Sequence, residues 1–261
     1  MRTQFVILCG GLGTRLREET EFRPKPLVEI SGKPILWHIM KIYAHYGFKD
    51  FVLCLGYKGH MIKEYFLNYR LMNSDFTLRL DSGGMSRIHN SNAHEDWTIT
   101  FVETGLQAMT GTRIKRIETY IQEDHFMVTY GDGLGDIDLA KLWEFHLQHG
   151  KTGTVTGVRP VSRYGELAVD GGRVREFGEK PQAKDGYVSG GFFVFRRRFF
   201  DYLTDDDQCV LEREPLERLV QDGQLMSYLH TGFWHSMDTY RDFVALNEMW
   251  KKSAPWKVWR E

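Results

Sequence analysis

Several short stretches combine residue types suited to holding phosphate. The first is Gly10-Gly11-Leu12-Gly13-Thr14-Arg15, directly after the apolar run Phe5-Val6-Ile7-Leu8-Cys9. A glycine loop at the carboxyl end of a strand can point bare backbone N–H groups at an anion. Arg15 adds a planar fork of fixed charge. Neither common glycine motif is complete. A dinucleotide fingerprint needs Gly where Leu16 stands, and a P-loop needs Gly-Lys-Ser/Thr at its end. In Arg23-Pro24-Lys25-Pro26, two prolines stiffen an extended loop around one lysine. In Tyr130-Gly131-Asp132-Gly133, a carboxylate between glycines follows another apolar run. It suits one ligand of a Mg²⁺ that also holds substrate phosphates, or a plain Asp-Gly turn. Glu179-Lys180-Pro181 precedes Ser189-Gly190-Gly191-Phe192-Phe193. There Lys180 could take a phosphate, Glu179 could accept sugar hydroxyls, and the paired glycines let a ligand lie against backbone. Asp238, just before the last helical segment, reads either as a site carboxylate or as that helix's N-cap. His235 has no ligand spacing and reads as local packing.

These residues need elements to hold them. Phe5 to Cys9 and Phe51 to Leu55 are continuous apolar runs of strand length, the pattern of strands buried on both faces. Between them Pro34 opens a helix whose apolar positions are Ile35, Ile39, Ile42 and Tyr46, closed by Gly47. A second amphipathic helix carries Ile62, Phe66 and Tyr69. Strand, helix, strand, helix requires a parallel sheet with covering helices. Residues 73–97 are polar and read as an excursion containing a short antiparallel piece. The sheet resumes at Ile99 to Val102 and again at Phe126 to Tyr130, with a helix through Ile114, Ile117 and Ile121 between them. A helix through Leu139, Leu142, Phe145 and His149 ends at Gly150. Short strands follow at Gly165 to Val169, Arg173 to Phe177 and Val188 to Phe195, then helices near 214–222 and 239–250. The expected architecture is one α/β domain over residues 1–261. Its mostly parallel mixed sheet has helices on both faces.

Composition excludes several classes. Lys and Arg total 34 against 35 Asp and Glu, net −1. That balance argues against nucleic acid as a partner, since such affinity rests on many basic contacts. No stretch approaches the ~18 apolar residues of a membrane span. The run Phe5 to Cys9 is too short for a signal-peptide core. Cys9, Cys54 and Cys209 fit no zinc spacing, and their odd number argues against a disulfide framework. The expected compartment is the cytoplasm. The aromatic tail Ala254-Pro255-Trp256-Lys257-Val258-Trp259 would be an apolar patch if exposed, which suggests a homo-oligomer.

Taken in order, these stretches resemble the sugar nucleotidyltransferases, also called NDP-sugar pyrophosphorylases. The resemblance is carried by Leu8-Cys9-Gly10-Gly11-Leu12-Gly13-Thr14-Arg15-Leu16 with Lys25 between prolines, and by Gly32-Lys33-Pro34-Ile35-Leu36-Trp37-His38. Further carriers are Gly56-Tyr57-Lys58-Gly59, Thr110-Gly111-Thr112-Arg113, Thr129 to Gly133, Gly190 to Phe193, Gly232-Phe233-Trp234 and Met237-Asp238-Thr239. It spans nearly the whole chain and is weakest over 73–97. Cys9 stands where the family pattern has Ala, and Ser189 where it has Asn before the paired glycines. The resemblance implies a Rossmann-like nucleotidyltransferase fold and transfer of a cytidylyl group from CTP to α-D-glucose 1-phosphate, with Mg²⁺ as cofactor, residues 1–150 mainly binding nucleotide and 151–261 mainly binding sugar phosphate. It implies that Leu8, Gly10, Gly11, Gly13, Thr14 and Arg15 hold the triphosphate, and that Lys25 neutralises the reacting phosphate. Asp132 and Asp238 would hold the metal. Glu179, Lys180, Ser189, Gly190 and Gly191 would hold the sugar phosphate. In the loop Thr110-Gly111-Thr112-Arg113, glycine would let backbone approach the base, and Arg113, a donor only, would face cytosine's acceptors. The rival readings are a nicotinamide oxidoreductase, whose fingerprint Leu16 spoils, and a non-catalytic domain of the same fold. Such a domain can lose its charged site residues, and here Arg15, Lys25, Asp132, Lys180 and Asp238 are all present.

Overall fold

The computed structural model describes residues 3–81, 84–91, 95–160, 166–170, 173–178 and 186–260. The first strand, Gln4–Leu8, is buried along its whole length. Phe5 and Ile7 enter one apolar cluster with the helix Ile35–His45, while Val6 enters a second with Ile114, Ile117 and Ile121. A strand with apolar groups on both faces must be covered on both, and the helices do this. The fold is therefore α/β, as the runs of apolar residues predict.

The sheet runs in the order Val188–Ser189, Gly153–Val158, Phe193–Arg196, His125–Tyr130, Gln4–Leu8, Asp50–Leu55, Thr98–Glu103, and Leu225–His230 joins Gly153–Val158. Pairing is parallel from His125–Tyr130 through Gln4–Leu8 and Asp50–Leu55 to Thr98–Glu103. Phe193–Arg196 pairs antiparallel with His125–Tyr130. Chain order reverses between Gln4–Leu8 and its neighbour His125–Tyr130. In open α/β sheets, that reversal opens a crevice at the carboxyl ends of the strands. The glycine loop after Leu8 and Asp132 after Tyr130 both emerge there.

Four local results differ from or sharpen the sequence reading. The helix expected through Ile121 ends at Lys115, and a 3-10 turn Glu118–Tyr120 follows. All three isoleucines are buried even so. The run expected as one strand from Val188 to Phe195 is two, Val188–Ser189 and Phe193–Arg196. Gly191 and Phe192 between them hold φ of 75° and 48°, which breaks the extended backbone. The polar excursion contains the antiparallel hairpin Ser74–Arg79 with Gly84–Ser91. The aromatic tail is covered by the chain itself. Trp256 is fully buried against His38 and Trp250, so the tail supplies no exposed patch and no argument for self-association.

Candidate active site

A small antiparallel pair builds the floor of the crevice. Gly133–Gly135 pairs with Trp234–Ser236, and the Met237 N–H donates to the Asp132 carbonyl at 2.9 Å. This pairing brings Asp132 and Asp238 together. Pro24 is extended, and Lys25 opens the short 3-10 turn Lys25–Leu27. The lysine ammonium donates to Asp132 Oδ2 at 2.6 Å and to Asp238 Oδ1 at 2.9 Å, across 213 residues of sequence in the second case. The Arg15 guanidinium reaches the same Asp238 oxygen at 3.0 Å, and the Ser236 hydroxyl donates to the other at 3.0 Å.

The electrostatics follow from this cluster. Burial works to raise the Asp238 carboxyl, but Lys25, Arg15 and Ser236 outweigh it and hold it below the usual carboxylate range. Burial works to lower Lys25, and Asp132 and Asp238 outweigh that too, so the ammonium is held above its ordinary range. Asp238 is not the helix cap. Thr239 is the N-cap of Tyr240–Lys252, in a reciprocal capping box with Asp242. The bland reading of Asp238 therefore loses its support.

The cleft above this floor measures about 340 Å³, within the usual range for small-molecule sites. Leu8, Gly10, Gly11, Gly13, Thr14, Arg15, Lys25, Thr110, Arg113 and Asp132 line it. Gly13 takes φ 66° ahead of the 3-10 turn Thr14–Leu16. A side chain on Gly13 would also meet Thr20 at 2.7 Å. Glu179 and Lys180 lie outside the described residues. Gly190 and Gly191 are buried and are not part of this lining. The Trp234 indole N–H donates to the Gly190 carbonyl at 3.0 Å, and a Cβ on Gly191 would come within 2.9 Å of the Tyr130 ring. The Ser189 hydroxyl accepts from the Gly191 N–H at 3.4 Å.

Arg113 is not placed as expected. Only 4% exposed, it donates to the carbonyls of Leu55, Gly105 and Gly10 and to the Thr104 hydroxyl. Its guanidinium lies beneath the glycine loop, and a Cβ on Gly10 would fall 2.1 Å from it. With these donors already engaged, it shapes the loop and offers no free fork to a base. Gly111 also has a local reason, since a Cβ there would meet Cys209 Sγ at 2.6 Å. Sequence reasoning missed Glu212, whose carboxylate accepts from the hydroxyls of Thr110 and Tyr130. No spacing links those positions in the sequence.

Asp132 and Asp238 converge within hydrogen-bond distance of one cation, Lys25 Nζ. Two hard carboxylate donors fit Mg²⁺, which keeps waters and takes substrate phosphates as its remaining ligands. Among the described residues there is no group of three or more His, Cys, Asp or Glu side chains able to hold a metal. Nor, among them, is any helix long and apolar enough to cross a membrane.

Comparison with known proteins places the chain as a whole. The chain is 50% identical over 256 residues to a glucose-1-phosphate cytidylyltransferase of Salmonella typhi, covering 97% of this chain and 98% of that protein. It is 47% identical over 255 residues to a probable glucose-1-phosphate cytidylyltransferase of Bacillus subtilis, covering 97% and 99%. The crystal structure of HddC from Yersinia pseudotuberculosis has the same fold, with TM-score 0.69 at 24% identity over 95% of this chain and 99% of that one. The nucleotidyl transferase family model matches residues 4–253, nearly the full length, and so the crevice with its glycine loop belongs to a member of the nucleotidyl transferase family.

Proposed function

We propose that this protein transfers a cytidylyl group from CTP to α-D-glucose 1-phosphate, giving CDP-glucose and pyrophosphate. The observation that carries the reading is the convergence of Arg15, Lys25, Asp132 and Asp238 at the sheet's switch point, in a chain half identical to glucose-1-phosphate cytidylyltransferases.

A phosphate oxygen of the sugar phosphate attacks the α-phosphorus of CTP, and pyrophosphate leaves on the opposite side. That oxygen is already ionised at neutral pH, so no general base is needed. Catalysis is then positioning and charge neutralisation. Backbone N–H groups of the loop from Gly10 to Thr14 receive the triphosphate, with Arg15 beside them. Lys25 moves its ammonium from the two carboxylates to the reacting phosphate. Asp132 and Asp238 would hold Mg²⁺, which when bound would supply positive charge to the phosphate oxygens. Glu179, Lys180, Ser189, Gly190 and Gly191 form the sugar-phosphate side. Arg113 supports the loop from beneath, and Ala108, Met109 and Thr110 line the part of the cleft assigned to the base.

Two wider proposals accompany this. The free, buried thiols of Cys9 and Cys54 suit the reducing cytoplasm. A homo-oligomer now rests on Leu67, Met72, Phe76, Leu78 and Leu80, exposed on and around the hairpin, and not on the tail. A monomer mass unchanged with concentration would remove it.

The test is pyrophosphate release with four nucleotides and several sugar 1-phosphates. A pocket built on hydrogen bonds rejects a mispaired base, so CTP should exceed UTP and dTTP by about 100-fold or more in kcat/KM. Comparable turnover of dTTP would overturn the cytidylyl reading.

A further inference from the structure

The segment between the 3-10 helix Arg197–Tyr202 and the helix Glu214–Gln221 is docked along the start of Thr110–Lys115. The Met109 N–H donates to the Asp207 carbonyl at 2.9 Å. The N–H groups of Gly111 and Thr112 both donate to the Cys209 carbonyl, at 2.9 and 3.1 Å. The Leu211 N–H donates to the Thr110 hydroxyl at 2.9 Å. At the end of this segment stands Glu212. One carboxylate oxygen accepts from Thr110 Oγ1 at 2.7 Å, and the other accepts from the Tyr130 hydroxyl.

Those two hydroxyls belong to different walls. Thr110 lines the cleft at the start of its helix. Tyr130 also lines it, from the end of the central strand His125–Tyr130, and its ring lies against Gly191 and edge-on to Phe193 at 6.0 Å. Burial, and then the Glu212 charge, push the Tyr130 hydroxyl above its ordinary range, so it stays a donor. Hydrogen bonds to an ionised acceptor are the strong, geometrically demanding kind. Glu212 is itself exposed, and an exposed carboxylate adds little to global stability. Its bonds therefore bear on where the two walls stand more than on whether the chain folds.

We propose that Glu212 is a positioning residue that ties Thr110 to Tyr130 and so holds the nucleotide wall and the sugar-phosphate wall at the spacing the two substrates need. The inference rests on the reading of the cleft given above. It touches neither substrate, and it acts through the two hydroxyls.

Steady-state kinetics of Glu212→Ala, Glu212→Gln and Tyr130→Phe test it, with the wild type as control. Glu212→Ala should raise KM for CTP and for glucose 1-phosphate by about tenfold each, with kcat changed by less than about threefold and Tm unchanged. Glu212→Gln should recover most of that loss, because its amide oxygen accepts from one hydroxyl and its N–H donates to the other. Tyr130→Phe should raise KM for the sugar phosphate more than for CTP, and should add nothing in the Glu212→Ala background. KM values within about twofold of wild type in Glu212→Ala would overturn the proposal. So would a loss of kcat that follows Tm and is not recovered by Gln. If the wild type makes no CDP-glucose, the functional reading fails on its own. Calorimetric binding of CTP to wild type and Glu212→Ala then still decides the role of Glu212, with equal affinities overturning it.

Discussion

Arg15 and Arg113 both border the cleft, and the molecule holds them in opposite ways. The Arg15 side chain is 68% exposed and, among the described residues, pairs with Asp238. Arg113 is 4% exposed and donates to protein acceptors in three separate segments of the chain. Lys25, Asp132 and Asp238 resemble Arg15, in that their partners are charges that phosphate and metal can replace. Arg113 can turn to a ligand only by giving up its bonds to the Leu55, Gly105 and Gly10 carbonyls and to the Thr104 hydroxyl. The floor is thus a set of exchangeable charges and the wall beneath Gly10 a fixed frame. A residue's presence in a motif does not say which of these it serves. Its remaining hydrogen-bonding capacity does.

The largest effect should come from the floor. Asp132→Asn and Asp238→Asn should each lower kcat by roughly a thousandfold with the fold intact by circular dichroism. Because Thr239 caps the last helix, Asn at 238 has no capping role that could mask the loss. Full activity in Asp238→Asn would erase the distinction between floor and frame. Arg113→Ala should behave as a frame mutation and destabilise the protein by about 3 kcal/mol, since the Gly105 carbonyl loses its donor and the space of a buried side chain empties. Arg15→Ala should leave Tm unchanged and raise KM for the nucleotide. Denaturant unfolding of the two variants side by side separates the classes, and equal stabilities would merge them.

A smaller effect concerns pH. Burial holds His38 down to about 4 and His146 down to about 3, and it lowers His125 and His149 as well. His38 Nδ1 accepts from the Trp256 indole at 3.5 Å, a bond that only the neutral ring can make. Below the unfolded value near 6.5 the unfolded chain takes up these protons first. Stability is therefore full above that pH and declines as pH falls toward 4. The floor behaves differently, since Asp238 is held low and Lys25 high and their charges persist through the same window. Tm measured from pH 8 to 5 should fall. A flat Tm would contradict the buried neutral histidines.

Much of this was legible beforehand, for physical reasons. Strands such as Phe5 to Cys9 are buried on both faces, so burial writes itself into the sequence as an unbroken apolar run. The glycine loop and Asp132 follow such strands directly, and strand ends at a switch point are where ligands bind. What was not legible depends on contacts distant in sequence. Glu212 meets Tyr130 across 82 residues. In sequence the tail's tryptophans read as an exposed patch, whereas in the fold His38 and Trp250 cover Trp256. Arg113 has the residue type of a ligand-reading group, and only the carbonyls around it reveal a structural one.

The exchange of charges on the floor is the center of this account, and one measurement reaches it directly. Mn²⁺ affinity can be determined by electron paramagnetic resonance for the wild type and Lys25→Ala, each without and with CTP. Lys25 and Arg15 already balance the two carboxylates, so Mn²⁺ alone should bind the wild type weakly and bind Lys25→Ala at least about fivefold more tightly. CTP should raise the wild-type affinity, because its phosphates draw the ammonium away and add ligands of their own. Equal Mn²⁺ affinity in the two proteins without nucleotide would show that Lys25 and the metal do not compete for Asp132 and Asp238, and would contradict the account.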